Sequence, residues 1–129
     1  YHYNETEELF YQLEGNINVR IQENGNAVDI PLGPGDMFLL PPKVPHSPQR
    51  GANTVGLVIE YPRDKGVKDA LLWFCENCTT KLYEEDFTLD NIETDMPAIF
   101  DKYYGDSEKR TCPNCSAIMQ TPKKVQLDD

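Results

Sequence analysis

Residues 17–32 read INVRIQENGNAVDIPL, and this stretch decides the fold class. Apolar side chains alternate with polar ones on both sides of the pair Asn24-Gly25: Ile17, Val19 and Ile21 before it, and Val28, Ile30 and Leu32 after it. Alternation with a period of two is typical of a β-strand with one buried face, and Asn-Gly favours the tight turn of a hairpin. The sequence therefore predicts a β-hairpin here.

Further strands are predicted between turns rich in glycine and proline. Gly33 to Asp36 is a second turn signal, and the apolar run from Met37 to Leu40 follows it. Val55 to Tyr61 is another strand candidate after the proline-rich residues 41–48. Several short strands separated by Gly and Pro favour a barrel or sandwich over alternating strands and helices. In a chain of 129 residues we expect one β-dominated core.

The composition changes after Tyr61. Residues 62–66, with the sequence PRDKG, have the character of a linker, and all four cysteines come after them. We therefore predict a barrel core over residues 1–62 and a C-terminal extension over residues 63–129.

A short helix is predicted inside the extension. Thr94 or Asp95 can cap its start, Pro97 suits its first turn, and apolar residues recur at helical spacing up to Gly105. The polar end of the chain, residues 121–129, is expected to fray.

The chain is acidic and has no long apolar run. It carries 22 acidic against 12 basic residues, a net charge of -10. Such a field repels nucleic acid and anionic lipid, and no stretch approaches the roughly 20 apolar residues of a membrane-spanning helix. We expect a soluble protein that binds neither. A small anionic ligand stays compatible with this charge, because a local arginine such as Arg50 can outweigh a distant net field.

No charged-then-apolar leader opens the sequence, which begins at Tyr1 without a methionine. The natural start is expected to lie upstream of Tyr1, and the protein is expected to be cytoplasmic. A reducing compartment would keep its cysteines as thiols.

The four cysteines form two C-x₂-C knuckles, Cys75 with Cys78 and Cys112 with Cys115. Two matched knuckles can bring four thiolates onto one metal ion in a closed tetrahedral site. We expect Zn²⁺, or iron as in rubredoxin, in a structural role, because a closed site leaves no open coordination position. Two disulfides in a secreted protein and a redox-active C-x₂-C are the alternatives.

The two histidines, His2 and His46, are the remaining candidates for chemistry. His2 and Glu8 share one strand parity, so a single strand with a bulge can point an imidazole and a carboxylate into the barrel interior. His46 enters on a later strand. The alternative is a solvated acidic edge, Glu5 to Glu8, with two unrelated histidines.

The spacing of these residues resembles the two motifs of the cupin family. The first motif, H-x-H-x₃₋₄-E-x₆-G, is matched at His2, Glu8 and Gly15, with Asn4 in place of the second histidine. The second, G-x₅-P-x-G-x₂-H-x₃-N, is matched at Gly35, Pro41 and His46, with Lys43 in place of a glycine and Arg50 in place of the asparagine. The resemblance implies a cupin jelly-roll β-barrel. It also implies a two-histidine, one-carboxylate metal set, His2, Glu8 and His46, which is the set of non-haem Fe(II) oxygenases.

Longer strings are similar to one cupin family in particular, the 3-hydroxyanthranilate 3,4-dioxygenases. They are residues 8–16 (ELFYQLEGN), 35–42 (GDMFLLPP), 44–50 (VPHSPQR) and 53–60 (NTVGLVIE). The cysteine knuckles resemble the rubredoxin-like tail of the bacterial members, so that the resemblance covers nearly the whole chain. The string HSPQR is far more specific than the general cupin pattern.

This second resemblance implies an enzyme that opens the ring of 3-hydroxyanthranilate with Fe(II) and O₂. The product would be 2-amino-3-carboxymuconate semialdehyde, a precursor of quinolinate and NAD. It implies that His2, Glu8 and His46 bind iron, that Arg50 binds the substrate carboxylate, and that Glu60 bonds the amino or hydroxyl group and assists proton transfer. The alternative for Glu60 is a strand-end side chain that reaches solvent.

The family also implies a homodimer for the full-length protein, with further strands and a second substrate-binding arginine upstream of the first motif. Two other functions stay open on the sequence alone. A non-catalytic cupin would bind a small carboxylate through Arg50 without consuming O₂. A cupin enzyme with another substrate would be separated from the first hypothesis by substrate screening.

Overall fold

The computed structural model describes residues 1–121 and contains nine strands and two short helices in that range. The strands are β1 (His2–Tyr3), β2 (Glu8–Glu14), β3 (Ile17–Glu23), β4 (Asn26–Leu32), β5 (Met37–Leu40), β6 (His46–Arg50), β7 (Val55–Glu60), β8 (Asp69–Phe74) and β9 (Lys81–Phe87). The helices are α1 (Asp95–Tyr104) and α2 (Ser107–Arg110). The predicted β-dominated fold with a short C-terminal helix is confirmed. The fraying expected for residues 121–129 falls, apart from Thr121, outside the described residues.

The hairpin predicted from residues 17–32 is present as β3 and β4. Asn24 and Gly25 both have positive φ, 51° and 78°, as a tight turn between twisted strands requires. The register pairs Ile17 with Leu32, so the apolar side chains of both strands point to one face of the sheet.

The strands form two sheets around the barrel core. One sheet has the order β4-β3-β6-β1-β8-β9 and the other has the order β5-β2-β7. The buried apolar cluster between them consists of Phe10, Ile17, Val19, Ile21, Leu32 and Leu40. Burial of one such side chain is worth about 1.5–3 kcal/mol, so this cluster holds the two sheets together.

The chain crosses from one sheet to the other between His2 and Glu8, which corrects the expectation of a single bulged strand. β1 belongs to the six-stranded sheet and β2 to the three-stranded sheet. Asn4 makes the crossing: its carbonyl accepts a hydrogen bond from the amide of Lys43 at 3.0 Å, and its side-chain oxygen accepts one from the amide of Thr6 at 3.3 Å. These bonds satisfy polar groups that a continuous strand would pair in its own sheet. His2 and Glu8 therefore approach from opposite walls.

Residues beyond the predicted linker continue the six-stranded sheet. β8 pairs with β1, and β9 pairs with β8, so residues 69–87 extend the sheet that carries β1. The division of the chain after residue 62 stays a prediction.

Helix α1 begins after Thr94 and ends before Gly105, as predicted. It docks on β8 and β9 through an aromatic cluster: Trp73, Tyr83, Phe100, Tyr103 and Tyr104. The rings of Trp73 and Tyr103 are stacked, with centroids 4.3 Å apart. Aromatic contacts of this kind add about 0.5–1.5 kcal/mol beyond the buried area. Within residues 1–121, neither helix has the length and apolar character needed to cross a membrane.

Candidate active site and metal centres

Strand register brings the two histidines together. His2 lies directly opposite His46 in the antiparallel pair of β1 and β6, and opposite residues of such a pair have Cα atoms roughly 4.5–5.5 Å apart. The two imidazole rings have centroids 5.4 Å apart and planes inclined by 71°. Glu8 reaches them from the start of β2, on the facing sheet.

His2, Glu8 and His46 each offer one ligand atom to a common point, and these atoms lie within 4.8 Å of one another. The Oε2 atom of Glu8 is 3.3 Å from Nε2 of His46, and both side chains are buried. A buried carboxylate is costly unless a positive charge or proton donors stabilise it. Two imidazoles and one carboxylate around one point suit a divalent cation such as iron or zinc.

Neighbouring groups orient two of these three side chains. Asn4, which stands where the cupin motif has a second histidine, donates from Nδ2 to Oε1 of Glu8 at 2.7 Å. His46 donates from Nδ1 to the carbonyl of Val44 at 3.1 Å, so its other nitrogen, Nε2, faces Glu8. Hydrogen bonds of this kind fix the ring tautomer and leave the lone pair for a metal.

The third side chain, His2, is hydrogen-bonded to a buried ion-pair network. Asp69, at the start of β8, accepts a hydrogen bond from Nε2 of His2 at 2.6 Å. It also accepts two from Arg63, from Nε at 2.6 Å and from Nη2 at 2.7 Å. The third arm of Arg63, Nη1, donates to Oε2 of Glu60 at 3.2 Å. Sequence reasoning missed Asp69 and Arg63, because the cupin motifs do not include them.

The charges in this network set the pKa values of its members. Burial raises the pKa of Glu8, but the hydrogen bond and charge of His46, with the charges of His2 and Arg63, outweigh it and hold that pKa below its usual range. The same balance holds for Asp69, where burial is outweighed by the hydrogen bonds from Arg63 and His2, so that its pKa is also lowered. Burial lowers the pKa of His2 despite the opposing effect of Asp69. At neutral pH the site therefore holds ionised carboxylates and a neutral His2, as metal binding requires.

Arg50 and Glu60 line one cavity of about 420 Å³ together with the three candidate ligands and Arg63. Its other walls are formed by Phe10, Pro48, Val58, Leu89, Ile92 and Met96. This volume lies within the range of about 300–1,000 Å³ that small-molecule sites occupy. Glu60 faces the cavity because it pairs with Glu8 across β2 and β7 and so shares its face. The exposed guanidinium of Arg50 can offer its planar fork to an anion here.

Three apolar wall residues come from the extension and were not predicted. Leu89, Ile92 and Met96 lie just before α1 and in its first turn, and they reach the cavity of the barrel. Their spacing of three and four residues is the signal that could have indicated a common face.

Lys43 departs from the cupin motif, which has a glycine at this position. Its φ is 60°, in the left-handed region that glycine adopts without strain. The backbone at Lys43 thus keeps the conformation that the motif implies, and its amide binds the carbonyl of Asn4.

The four cysteine sulfurs also converge, as predicted, in a second group. The Sγ atoms of Cys75 and Cys115 are 3.5 Å apart, as are those of Cys78 and Cys112. All four are free thiols, and ligands of a tetrahedral zinc at Zn–S distances of ~2.3 Å are roughly 3.8 Å apart. The alternative of two disulfides does not describe this arrangement.

The two cysteine knuckles repeat one backbone pattern. The amide of Thr79 binds the carbonyl of Cys75, and the amide of Ser116 binds that of Cys112, both at 2.9 Å. Thr79 and Ser116 both have φ of 63°, which turns the chain back after each knuckle. Each knuckle is therefore fixed by its own turn.

Hydrogen bonds lower the pKa of two of these thiols, Cys78 and Cys115, which favours metal binding. The side chain and amide of Thr80, with the side chain of Asn114, lower the pKa of Cys78 to about 5. Burial raises the pKa of Cys75 to about 11. The side chain of Asn77 and the backbone of Ala117 also lower the pKa of Cys115. Cys78 and Cys115 therefore lose their protons most readily, and a bound cation would draw the protons from the rest.

Comparison with known proteins shows similarity over nearly the whole chain. A model of the 3-hydroxyanthranilic acid dioxygenase family matches residues 1–104. A protein of Xanthomonas campestris pv. campestris named 3-hydroxyanthranilate 3,4-dioxygenase is 50% identical over 124 residues, which is 96% of this chain and 70% of that protein. Proteins of the same name from Ruegeria pomeroyi and Candida albicans are 44% and 41% identical, each over 92% of this chain and over 66% and 69% of their own lengths.

Proposed function

The chain belongs to the 3-hydroxyanthranilic acid dioxygenase family, and we propose that it opens the ring of 3-hydroxyanthranilate with O₂. The product would be 2-amino-3-carboxymuconate semialdehyde, which leads to quinolinate and NAD. One observation carries the proposal: the ligand atoms of His2, Glu8 and His46 lie within 4.8 Å of one another, on the wall of a cavity that also contains Arg50 and Glu60.

We assign Fe(II) to the three-ligand site. His2, Glu8 and His46 would hold it, since two imidazoles and one carboxylate form the set that non-haem Fe(II) oxygenases use. Iron held by these three residues would supply the electron transfer that ring opening by O₂ requires. The hydrogen bonds from Asn4 to Glu8 and from His46 to Val44 keep these ligands oriented before binding.

Arg50 would bind and orient the substrate through its carboxylate. It lies four residues after His46 at the end of β6, so its position relative to the ligands is set by the same strand. A guanidinium fork can form two parallel hydrogen bonds to a carboxylate, which fixes the direction of the ring as well as its place. Phe10, Val58 and Ile92 supply apolar surface against which an aromatic ring can pack.

Glu60 would hold or move a proton of the substrate. Arg63 occupies its Oε2 atom at 3.2 Å, which leaves Oε1 for the amino or hydroxyl group of the ring. A carboxylate within hydrogen-bond reach of an acidic hydroxyl is a suitable general base. Its Cα pairing with Glu8 supports this role, because the two carboxylates share one face of the sheet.

The Cys75, Cys78, Cys112 and Cys115 group would hold Zn²⁺ or iron in a structural role. Four thiolates leave no open position for substrate, so this metal would stabilise the extension, residues 63–129. The extension in turn supplies Leu89, Ile92 and Met96 to the cavity of the barrel core, residues 1–62. A reducing compartment such as the cytoplasm suits four free thiols.

We further propose a homodimer for the full-length protein. The outer face of the β5-β2-β7 sheet exposes apolar side chains, and Tyr61 is exposed directly after β7: the sheet residues are Leu13, Met37, Leu39, Leu57 and Ile59. Contiguous apolar surface of this kind marks interaction sites. Light scattering after size-exclusion chromatography should give twice the chain mass for the full-length protein, and a monomer would contradict this assembly.

Oxygen uptake tests the proposed activity. Protein loaded with Fe(II) without oxygen is mixed with 3-hydroxyanthranilate in air-saturated buffer, and the absorbance of the ring-opened product is followed in parallel. We expect one O₂ consumed per product formed, and none with anthranilate, which lacks the 3-hydroxyl group. Binding of 3-hydroxyanthranilate without O₂ uptake by iron-loaded protein would contradict the enzyme and favour a non-catalytic cupin.

A further inference from the structure

We propose that Asp69 is a positioning residue which, together with Arg63, couples the candidate metal ligand His2 to the candidate proton acceptor Glu60. The inference deepens the proposed function and rests on it for the roles of His2 and Glu60. It adds two residues from outside the cupin motifs, both in the segment that leaves β7 and enters β8.

Asp69 is a buried carboxylate, and both of its oxygens accept hydrogen bonds from side chains. Its side chain has 0% exposure, and its two oxygens accept three hydrogen bonds, one from His2 and two from Arg63, at 2.6–2.7 Å. A carboxylate without water is strongly unfavourable unless it is paired and hydrogen-bonded in this way. Asp69 therefore depends on His2 and Arg63, and a shift of any one of the three must disturb the others.

The bond from His2 to Asp69 decides which ring nitrogen is left for a metal. Nε2 of His2 lies 2.6 Å from Oδ2 of Asp69. An ionised carboxylate can only accept, so Nε2 donates in this contact and a neutral ring has its lone pair on Nδ1. A carboxylate behind a metal-binding imidazole fixes its tautomer and orientation and makes it a better ligand, and loss of such a partner typically costs 10–100-fold in metal affinity or activity. Asp69 would act on the metal through His2 in this way.

Arg63 connects Asp69 to the substrate side of the cavity. Two of its arms bind Asp69 and the third binds Glu60 at 3.2 Å. A guanidinium has five donors fixed in one plane and can bind one carboxylate with two arms and a second with the third, whereas the compact ammonium of lysine lacks this fixed geometry. Arg63 thus holds Glu60 at the cavity wall at the same time as it neutralises Asp69.

The path of the chain explains why such a link is needed. Glu60 ends β7 in the three-stranded sheet, and Asp69 begins β8 in the six-stranded sheet. Residues 61–68 between them contain no helix or strand. The ion pairs of Arg63 therefore tie the two sheets together beside the cavity, where no backbone ladder does so.

A second Arg–Asp pair on the barrel provides a matched control. Arg20 on β3 donates to Asp29 on β4 from Nε at 2.7 Å and from Nη2 at 3.2 Å, in the same two-armed geometry as Arg63 with Asp69. Both side chains of this pair are exposed, 41% and 51%, and neither lines the cavity of the candidate ligands. Asp29→Asn removes the same charge without touching the site.

Titration with Co²⁺ measures the effect of Asp69 without turnover. Co²⁺ bound by nitrogen and oxygen absorbs weakly in the visible, whereas thiolate-bound Co²⁺ absorbs strongly, so the two metal groups can be followed separately. We expect Asp69→Asn to weaken binding at the three-ligand site by about 10–100-fold and Asp69→Ala to weaken it more, since Asn still offers an acceptor to His2. The Asp29→Asn variant should bind Co²⁺ with the affinity of the wild-type protein.

The outcomes separate this inference from the proposed function. Unchanged Co²⁺ affinity in folded Asp69→Asn and Asp69→Ala, or an equal loss in Asp29→Asn, would overturn the role of Asp69 alone. If the wild-type protein binds Co²⁺ at the three-ligand site but never consumes O₂, the proposed function is contradicted. The role of Asp69 in positioning His2 is then unaffected. A three-ligand site that binds no Co²⁺ in the unchanged protein would overturn both.

If the Asp69 variants fail to fold, Arg63→Lys tests the coupling of His2 to Glu60 instead. Lysine keeps the positive charge but loses the planar fork that binds Asp69 with two arms and Glu60 with the third, so we expect Co²⁺ affinity to fall by up to about 10-fold. With iron bound, kcat should fall more than KM rises, because Arg50 still binds the substrate carboxylate while Glu60 is no longer held. Unchanged Co²⁺ affinity together with unchanged kcat would overturn the coupling, and Arg20→Lys is the control.

Discussion

The two candidate metal-binding groups of this protein are built in opposite ways. The cysteine group consists of two short knuckles, each fixed by its own turn, and its four sulfurs close around one point. The group of His2, Glu8 and His46 draws on three strands in two sheets, and it opens onto a cavity. A closed group of local turns suits a structural metal, whereas an open group across two sheets suits chemistry but depends on the whole barrel.

Removal of a candidate ligand of the open group should have the largest effect on activity. We expect Glu8→Ala to lower ring-opening turnover by at least about 100-fold, more than is lost with an outer partner of a ligand. Metal content of the cysteine group and the circular dichroism spectrum should stay unchanged. Glu7→Ala, which removes the same charge one residue earlier, is the control. An active Glu8→Ala protein would show that Glu8 is not a ligand.

An open site must orient its substrate, which a closed one need not do. Arg50→Lys replaces a planar fork by a point charge, so kcat/KM should fall by about 10–100-fold, the worth of one charge-assisted hydrogen bond of 1.5–3 kcal/mol. Steady-state kinetics with 3-hydroxyanthranilate measure this, with Arg20→Lys as the exposed control. Equal losses in both variants would mean that Arg50 does not contact the substrate.

Removing a cysteine tests whether the closed group acts only on its own region. We expect Cys112→Ser to lose the metal of the extension and to lower the melting temperature by at least about 4 °C, the effect of roughly 1 kcal/mol in a domain of this size. Turnover should fall only several-fold, through loosening of Leu89, Ile92 and Met96. Zinc analysis, thermal unfolding and Co²⁺ titration of the three-ligand site measure these effects. Complete loss of Co²⁺ binding there would make the two groups interdependent.

The smallest effect concerns the surface contact between α1 and β9. Lys102 donates to Glu85 at 2.6 Å, and this bond, with that from Tyr83, lowers the pKa of Glu85. Because the folded pKa lies below the unfolded value, the contribution is present above about pH 4.5 and is lost as pH falls through the folded pKa.

Glu85→Gln should therefore melt slightly below the wild-type protein at pH 7, and the difference should be smaller at a pH well below 4.5. Thermal unfolding at the two pH values measures it. A difference that persists or grows at low pH would assign the effect to packing instead of charge.

The features that the sequence could predict are those that depend on neighbouring residues, as the cysteine group does. The hairpin at Asn24-Gly25, the bounds of helix α1 and the convergence of the cysteine knuckles depend on residues within a few positions of one another, and all three are confirmed. The cap expected from the side chain of Thr94 is not formed, because that side chain makes no hydrogen bond to the first turn. The candidate ligands His2, Glu8 and His46 were found by motif spacing, although the crossing between sheets at Asn4 was not foreseen. Parity along a sequence does not reveal that a strand has ended.

The features that escaped prediction depend on distant contacts. Asp69 lies 67 residues from His2 in the chain, and Arg63 sits in a segment whose Pro, Gly and charges indicate only a linker. A charged residue in such a segment is ordinarily solvated. The role of Arg63 becomes visible only when β8 lies beside β1, and local periodicity cannot specify that pairing.

Strand β1 is two residues long and lies between β6 and β8. Its pairing with β8 includes the amide of Leu72, which donates to the carbonyl of Tyr1 at 2.9 Å. So short a strand has few bonds of its own to resist local opening, and a ligand that binds only the closed form suppresses such opening by mass action. Amide hydrogen exchange at Leu72 would thus report occupancy of the neighbouring candidate metal site. A metal that joined His2 to Glu8 would connect β1 to both sheets and should slow the exchange of this single amide.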